Sequence, residues 1–166
     1  MTRAHLLIED ISQADFERWL LPWSPVLGGG RVAPAFMSKF GTWFLRRPEG
    51  HVEMLDVFTG AVVRVADTYD RFIAEVIDRS WQEVYLLSEL VLRLHQEDKV
   101  AGPGQCYALA PHPALGGPNP LAGDPVDTRF VPVLDIGVWQ HLCVQAVLGS
   151  ETGPAEPGAA ADAGDM

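Results

Sequence analysis

The chain of 166 residues is short of cysteine, of bases and of long apolar runs, and each shortage excludes a class of protein. Cys106 and Cys143 are the two cysteines. That is too few for the disulfide framework of a small secreted domain, and it fits a reduced, cytoplasmic compartment. No apolar run approaches the roughly 18 residues of a membrane helix, so no membrane association is expected. The opening MTRAHLLIED interrupts its apolar triplet with Glu9 and Asp10, unlike the longer apolar region of a secretory leader. Twelve Lys and Arg stand against 22 Asp and Glu, a net charge of -10. Four of those acids and no base lie from Glu151 onward, so residues 1–150 carry 12 bases against 18 acids, a net of -6. Such a chain lacks the basic footprint of a direct nucleic-acid binder. It suits a basic protein partner, because complementary charge speeds association.

What is present is enough for a core. An apolar fraction of 48% in this length supports one α+β domain over residues 1–150 without disulfides or metals. Residues 40–65, FGTWFLRRPEGHVEMLDVFTGAVVRV, read as a three-stranded antiparallel meander. Aromatic and β-branched residues alternate from Phe40 to Arg46, again from Val52 to Phe58, and from Ala61 to Val65. Arg47-Pro48-Glu49-Gly50 and Thr59-Gly60 carry the residues that turns require. Both faces are apolar, so helix covers at least one of them. Short strands at Gln105–Ala110 and Phe130–Leu134 bring the expected antiparallel sheet to about five strands.

About four helices are expected to cover it. Ser12 caps one that Pro22 ends. Asp67 caps the second, with Tyr69, Phe72, Ile73, Val76 and Ile77 at helical spacing. Ser80 caps a third from Trp81 to about Gln96. Asp135 caps the last, from Ile136 to Leu148, with Trp139, Cys143 and Val147 in its buried set and Gly149 as its stop. Residues 22–34, including Gly28-Gly29-Gly30, form a flexible connector. The prolines and glycines of residues 111–127 form a long irregular loop. The tail, residues 151–166, is acidic, rich in Ala, Gly and Pro, and expected to be disordered.

Few residues point to chemistry, and no catalytic, cofactor-binding or metal-ligating residue is assigned. His51 and Glu53 share a strand face with Asp56 opposite, short of a converging ligand set. Cys106 and Cys143 read as buried structural thiols. His112, between two prolines, reads as a surface loop residue. Arg46-Arg47 could hold an anion, although two solvated charges that limit edge pairing are the better reading. For contact with a partner, the candidates are the exposed acids Glu49, Glu53, Asp124 and Asp127, with Trp23 as an exposed aromatic anchor.

Two stretches together resemble a known family. One is Phe40-Gly41-Thr42-Trp43-Phe44-Leu45-Arg46 with Gly50-His51-Val52-Glu53-Met54-Leu55-Asp56-Val57 and Gly60. The other is Gly102-Pro103-Gly104-Gln105-Cys106-Tyr107 with Leu115-Gly116-Gly117. They resemble the C-terminal domain of bacterial type VI secretion immunity proteins, whose named members neutralise a DNase effector and which often accompany the GAD-like domain. The resemblance implies a non-enzymatic cytoplasmic protein that needs no cofactor and neutralises a cognate protein toxin by binding it, a nuclease being the kind of toxin that the family's named members neutralise. Two alternatives stay open. One is a small-molecule-binding or enzymatic domain that uses the segment from Gly102 to Gly117 with His112. The other is a general protein-interaction module.

Overall fold

Two turns set the meander. At the first, the Gly50 N–H donates to the Arg47 carbonyl over 2.9 Å, and the Arg47 N–H donates to the His51 carbonyl over 3.0 Å. At the second, the Asp56 carboxylate accepts the Phe58 N–H (2.8 Å) and the Thr59 hydroxyl (2.9 Å). This side-chain turn matches the intrinsic preference of aspartate for such positions.

The computed structural model describes residues 1–151. In chain order the elements are α1 (Arg3–Leu6), β1 (Leu7–Ile8), α2 (Gln13–Leu20), a 3-10 turn (Leu21–Trp23), α3 (Ser24–Leu27), β2 (Ala33–Ser38), β3 (Trp43–Arg46), β4 (Val52–Leu55) and β5 (Val62–Ala66). They continue with α4 (Tyr69–Val76), α5 (Arg79–Leu86), α6 (Ser88–Gln96), β6 (Gln105–Tyr107), β7 (Val133–Asp135) and α7 (Ile136–Glu151). Strands β1 to β5 form one antiparallel sheet in sequence order, and β6 pairs with β7 in a second, two-stranded sheet. The fold class is therefore α+β around an antiparallel meander.

Helices cover both faces of the large sheet. In β3, Trp43, Phe44 and Leu45 are all fully buried, so neither face meets water there. Phe44 packs with Phe36 of β2 and with Phe72 of α4 and Trp81 of α5 on one face. Trp43 points the other way, toward Phe16 of α2 and Gln140 of α7. Burial of these rings contributes to the driving force for assembly.

Several elements depart from what spacing predicts. The five strands of the large sheet include β1, in a stretch expected only as an apolar patch, and β2, which begins at the end of the connector expected over residues 22–34 and runs on to Ser38. The strands expected near residues 105–110 and 130–134 form the separate small sheet. Pro34 sits inside β2, where the register with β3 shifts between Pro34 and Phe36, as an irregular strand tolerates. The helix expected over residues 81–96 is two helices. Leu87 breaks it in a left-handed conformation, φ +57°. Beyond the break, the Glu83 carboxylate accepts the Ser88 hydroxyl and the Glu89 N–H, both at 2.9 Å, and so caps α6. Thr68 and Asp78 cap α4 and α5, each one or two residues from the caps expected at Asp67 and Ser80. Because α4 ends at Val76, Ile77 leaves its stripe and is 73% exposed. Gly149 does not stop α7, which runs to Glu151. The rest of the acidic tail, residues 152–166, lies outside the described residues.

The motifs that carry the resemblance meet inside this framework. The Tyr107 N–H donates to the Lys39 carbonyl over 2.7 Å, and the Tyr107 ring packs on Phe40 at 5.4 Å. Gly41 has φ +89°, and a Cβ there would come within 2.9 Å of both Trp139 Cδ1 and Gln140 Nε2. A Cβ on Gly117 would lie 2.0 Å from the Pro111 carbonyl oxygen. Both glycines are thus required by close backbone approach.

Candidate binding groove at the hairpin turn

The buried polar groups are taken up by the protein itself. Gln140 is 1% exposed. Its Oε1 accepts the indole N–H groups of Trp23 and Trp43, each at 3.0 Å, and its Nε2 donates to the Gly41 carbonyl over 2.8 Å. The amide orientation follows from chemistry, since an indole can only donate and a carbonyl can only accept. Beside it, the Trp139 indole N–H donates to the Phe40 carbonyl over 2.8 Å. Trp23, expected as an exposed anchor, is therefore buried and holds the 3-10 turn against α7. Helical spacing did not single out Gln140; the available signal was a polar residue beside Trp139 on an otherwise apolar helix.

His112 is likewise not a surface residue. It is 5% exposed, its Nε2 donates to the Val57 carbonyl over 2.9 Å, and its Nδ1 accepts the Ala114 N–H over 2.9 Å. Burial lowers its pKa, partly offset by the Val57 carbonyl and the charge of Asp56. Neither ring nitrogen is left for acid–base work. Burial also pushes the Cys106 thiol up to about 12, with Asp135 adding to the shift, and pushes the Cys143 thiol up as well. Neither is a thiolate near neutral pH. Among the described residues, no three His, Cys, Asp or Glu side chains converge as a metal site. Nor is any helix there long and apolar enough to cross a membrane.

A broad concave surface lies at the first hairpin turn. It is an open groove of about 700 Å³ between residues 31–33, the turn at residues 46–50, and residues 67–70 at the start of α4. Arg46 lies over the Tyr69 ring, its guanidinium carbon 3.7 Å from the ring centre. Stacking of this kind holds a cation at a partly exposed site. Arg47 is not solvated as expected. Its Nε donates to Glu53 Oε2 (2.9 Å) and its Nη2 to the Leu27 carbonyl (2.6 Å), so it ties the turn to the end of α3. Glu53 Oε1 also meets His51 Nε2 at 2.9 Å. Burial acts to raise the Glu53 pKa, but hydrogen bonds and charge from His51 and Arg47 outweigh it and hold the carboxyl below its ordinary value.

The other contact candidates divide between two places. Glu53 is not the exposed acid expected: Arg47 and His51 hold it, and its side chain is only 16% exposed. Glu49 is exposed at the groove, whose lining also includes Asp67, Asp70, Arg31, Arg46 and Arg47. A second trough of about 410 Å³, lined by Phe16, Leu20, Leu21, Leu27 and Val32, meets the first at Val32. Leu21 is 72% exposed there. Asp124 and Asp127 are exposed on the proline-rich loop, away from this surface. Asp124 accepts the Asn119 N–H over 2.8 Å. Asp127 is held at about 2 by hydrogen bonds from Arg129. The cavity beside them encloses about 170 Å³ and is mostly apolar, lined by Leu109, Pro118, Val126 and Phe130 among others.

No protein-family model matches the chain, and no curated protein matches it.

Proposed function

We propose that this chain is a non-enzymatic cytoplasmic binding protein, an immunity protein that neutralises a cognate toxin of the basic, nuclease type by covering it. The observation that supports this reading is the division of its polar groups. His112, Cys106, Cys143 and Asp56, the groups with chemical potential, are buried or bound by the protein's own backbone. The chain as a whole is acidic, with 22 acids against 12 bases, and the groove at the hairpin turn presents Glu49, Asp67 and Asp70 alongside Arg31, Arg46 and Arg47, of which Arg47 is held by Glu53 and Asp67 meets Arg64. A rigid scaffold that presents acids around a groove suits the basic cleft of a nuclease, whose phosphate-binding groups it can occupy.

The partner reaches the groove through Glu49, Asp67 and Asp70, with the apolar trough around Leu21 as its neighbour. The test is co-expression of this chain with a toxin encoded beside its gene. Cells survive toxin induction when the chain is present, and the double variant Glu49→Lys, Asp70→Lys loses protection while melting at the wild-type temperature. The proposal fails if no adjacent gene encodes a toxin, or if the chain neither binds nor protects.

A further inference from the structure

The large sheet has two edges. One is β1, two residues long. The other is β5, which is five residues long, with Val63 45% exposed and Arg64 exposed. A long exposed edge is a template for pairing with another strand.

The hydrogen-bond phase of the β4–β5 ladder determines which groups of β5 face outward. The Asp56 N–H donates to the Ala61 carbonyl over 2.9 Å, so Asp56 and Ala61 form a hydrogen-bonded position. The register continues as Leu55 opposite Val62, Met54 opposite Val63 and Glu53 opposite Arg64. Hydrogen-bonded and non-hydrogen-bonded pairs alternate in an antiparallel ladder. Val63 therefore bonds inward to Met54. The N–H and carbonyl groups of Val62 and Arg64 point away from β4, toward the open edge. The register shift at Val65 ends this regular stretch.

We propose that β5 pairs antiparallel with β5 of a second copy of this chain, with Val62 opposite Arg64 and Val63 on the two-fold axis. This register is the only symmetric one in which both outward-facing residues of each strand bond, giving four hydrogen bonds. Placing Arg64 opposite Arg64 would set like charges face to face. Placing Val62 opposite Val62 would leave the groups of Arg64 against the glycine turn. In the chosen register each Arg64 lies against a valine, and its charge is already met by its own Asp67, Nη1 to Oδ1 at 3.4 Å. The exposed Val63 side chains meet at a non-hydrogen-bonded position, where Cα atoms sit roughly 4.5 Å apart. The result is an isologous ten-stranded sheet across two copies. The inference does not depend on toxin neutralisation.

Two variants test it. Val63→Cys places thiols at a Cα spacing a disulfide accepts, while the native Cys106 and Cys143 are buried and do not compete. Arg64→Cys is the control, since each Arg64 faces Val62 and not its own counterpart. On mild oxidation, Val63→Cys should form a covalent dimer at least ten times faster than Arg64→Cys. Arg64→Pro removes an outward N–H that the β4 ladder does not use, which an edge strand tolerates. In sedimentation at high concentration the wild type should approach the mass of two chains, and Arg64→Pro should stay at one while keeping its circular dichroism spectrum. Equal crosslinking of the two cysteine variants, or a wild type that remains at the mass of one chain throughout, would overturn the proposal.

Discussion

Replacing Gln140 with leucine tests the core arrangement most sharply. The two side chains are close in volume, so the change leaves no large cavity and isolates the polar term. It leaves the indole N–H groups of Trp23 and Trp43 and the carbonyl of Gly41 without partners. All four residues are buried. Each unsatisfied group costs about 1–3 kcal/mol, so the three together cost about 3–6 kcal/mol if partial relaxation is allowed. That is a large share of the roughly 5–15 kcal/mol by which a folded protein is stable. At about 2–4 °C per kcal/mol for a chain of this length, the melting temperature falls by about 6–24 °C. Urea unfolding followed by tryptophan fluorescence gives the free energy directly. A companion variant, Gln140→Glu, adds a sign. Its carboxylate can accept both indole N–H groups but sets a second oxygen against the Gly41 carbonyl, so the folded state favours the protonated acid. The folded pKa then lies above the unfolded value near 4.3. The variant matches the wild type best below about pH 4.3 and loses stability relative to it as pH rises through that value and up to the folded pKa. A Gln140→Leu cost under about 1 kcal/mol, or a Gln140→Glu difference that does not vary with pH, refutes the reasoning.

Two further outcomes follow from the same framework. Gly41→Ala forces an L side chain to φ +89° and brings its Cβ within 2.9 Å of Trp139 and Gln140, so it destabilises by about 2–5 kcal/mol in urea unfolding. His112 and His95 both have lowered pKa values, each chiefly through burial, with His5 and Lys39 adding to the shift at His95. Below the unfolded value near 6.5 the unfolded chain binds more protons. The melting temperature should therefore fall as pH drops from 7 toward 5, and His112→Gln should flatten part of that slope while lowering stability at pH 7.

The meander was legible because its signals are local. Turn residues at 47–50 and 59–60 and alternation along β3, β4 and β5 act within a few positions of each other. The capping of α2 by Ser12 and the burial of Phe72, Trp139 and Cys143 were legible for the same reason. Strands β1 and β2 were not, because two residues carry no period and Pro34 argues against a strand until its irregular register is known. The break at Leu87 depends on a carboxylate reaching forward from Glu83 to Ser88 and Glu89, which spacing does not reveal. At the candidate site, the exposure of Glu49 followed from the turn and the shared face of His51 and Glu53 from the alternation, whereas the burial of Glu53 between Arg47 and His51 did not. The burial of Trp23 and His112 did not, because each is fixed by a partner far along the chain: Gln140 for the indole and the Val57 carbonyl for the imidazole. The groove itself joins residues 31–33, 46–50 and 67–70, and the chain shows such a juxtaposition only once folded.

The central claim is that this acidic protein occupies the basic cleft of a nuclease toxin. The most direct measurement is a competition titration, in which a catalytically silenced toxin encoded beside this gene is bound to labelled duplex DNA and this chain is added. The account predicts stoichiometric release of the DNA, weakened at least tenfold by Glu49→Lys with Asp70→Lys. A ternary complex that keeps the DNA, or no interaction at any concentration, would contradict it.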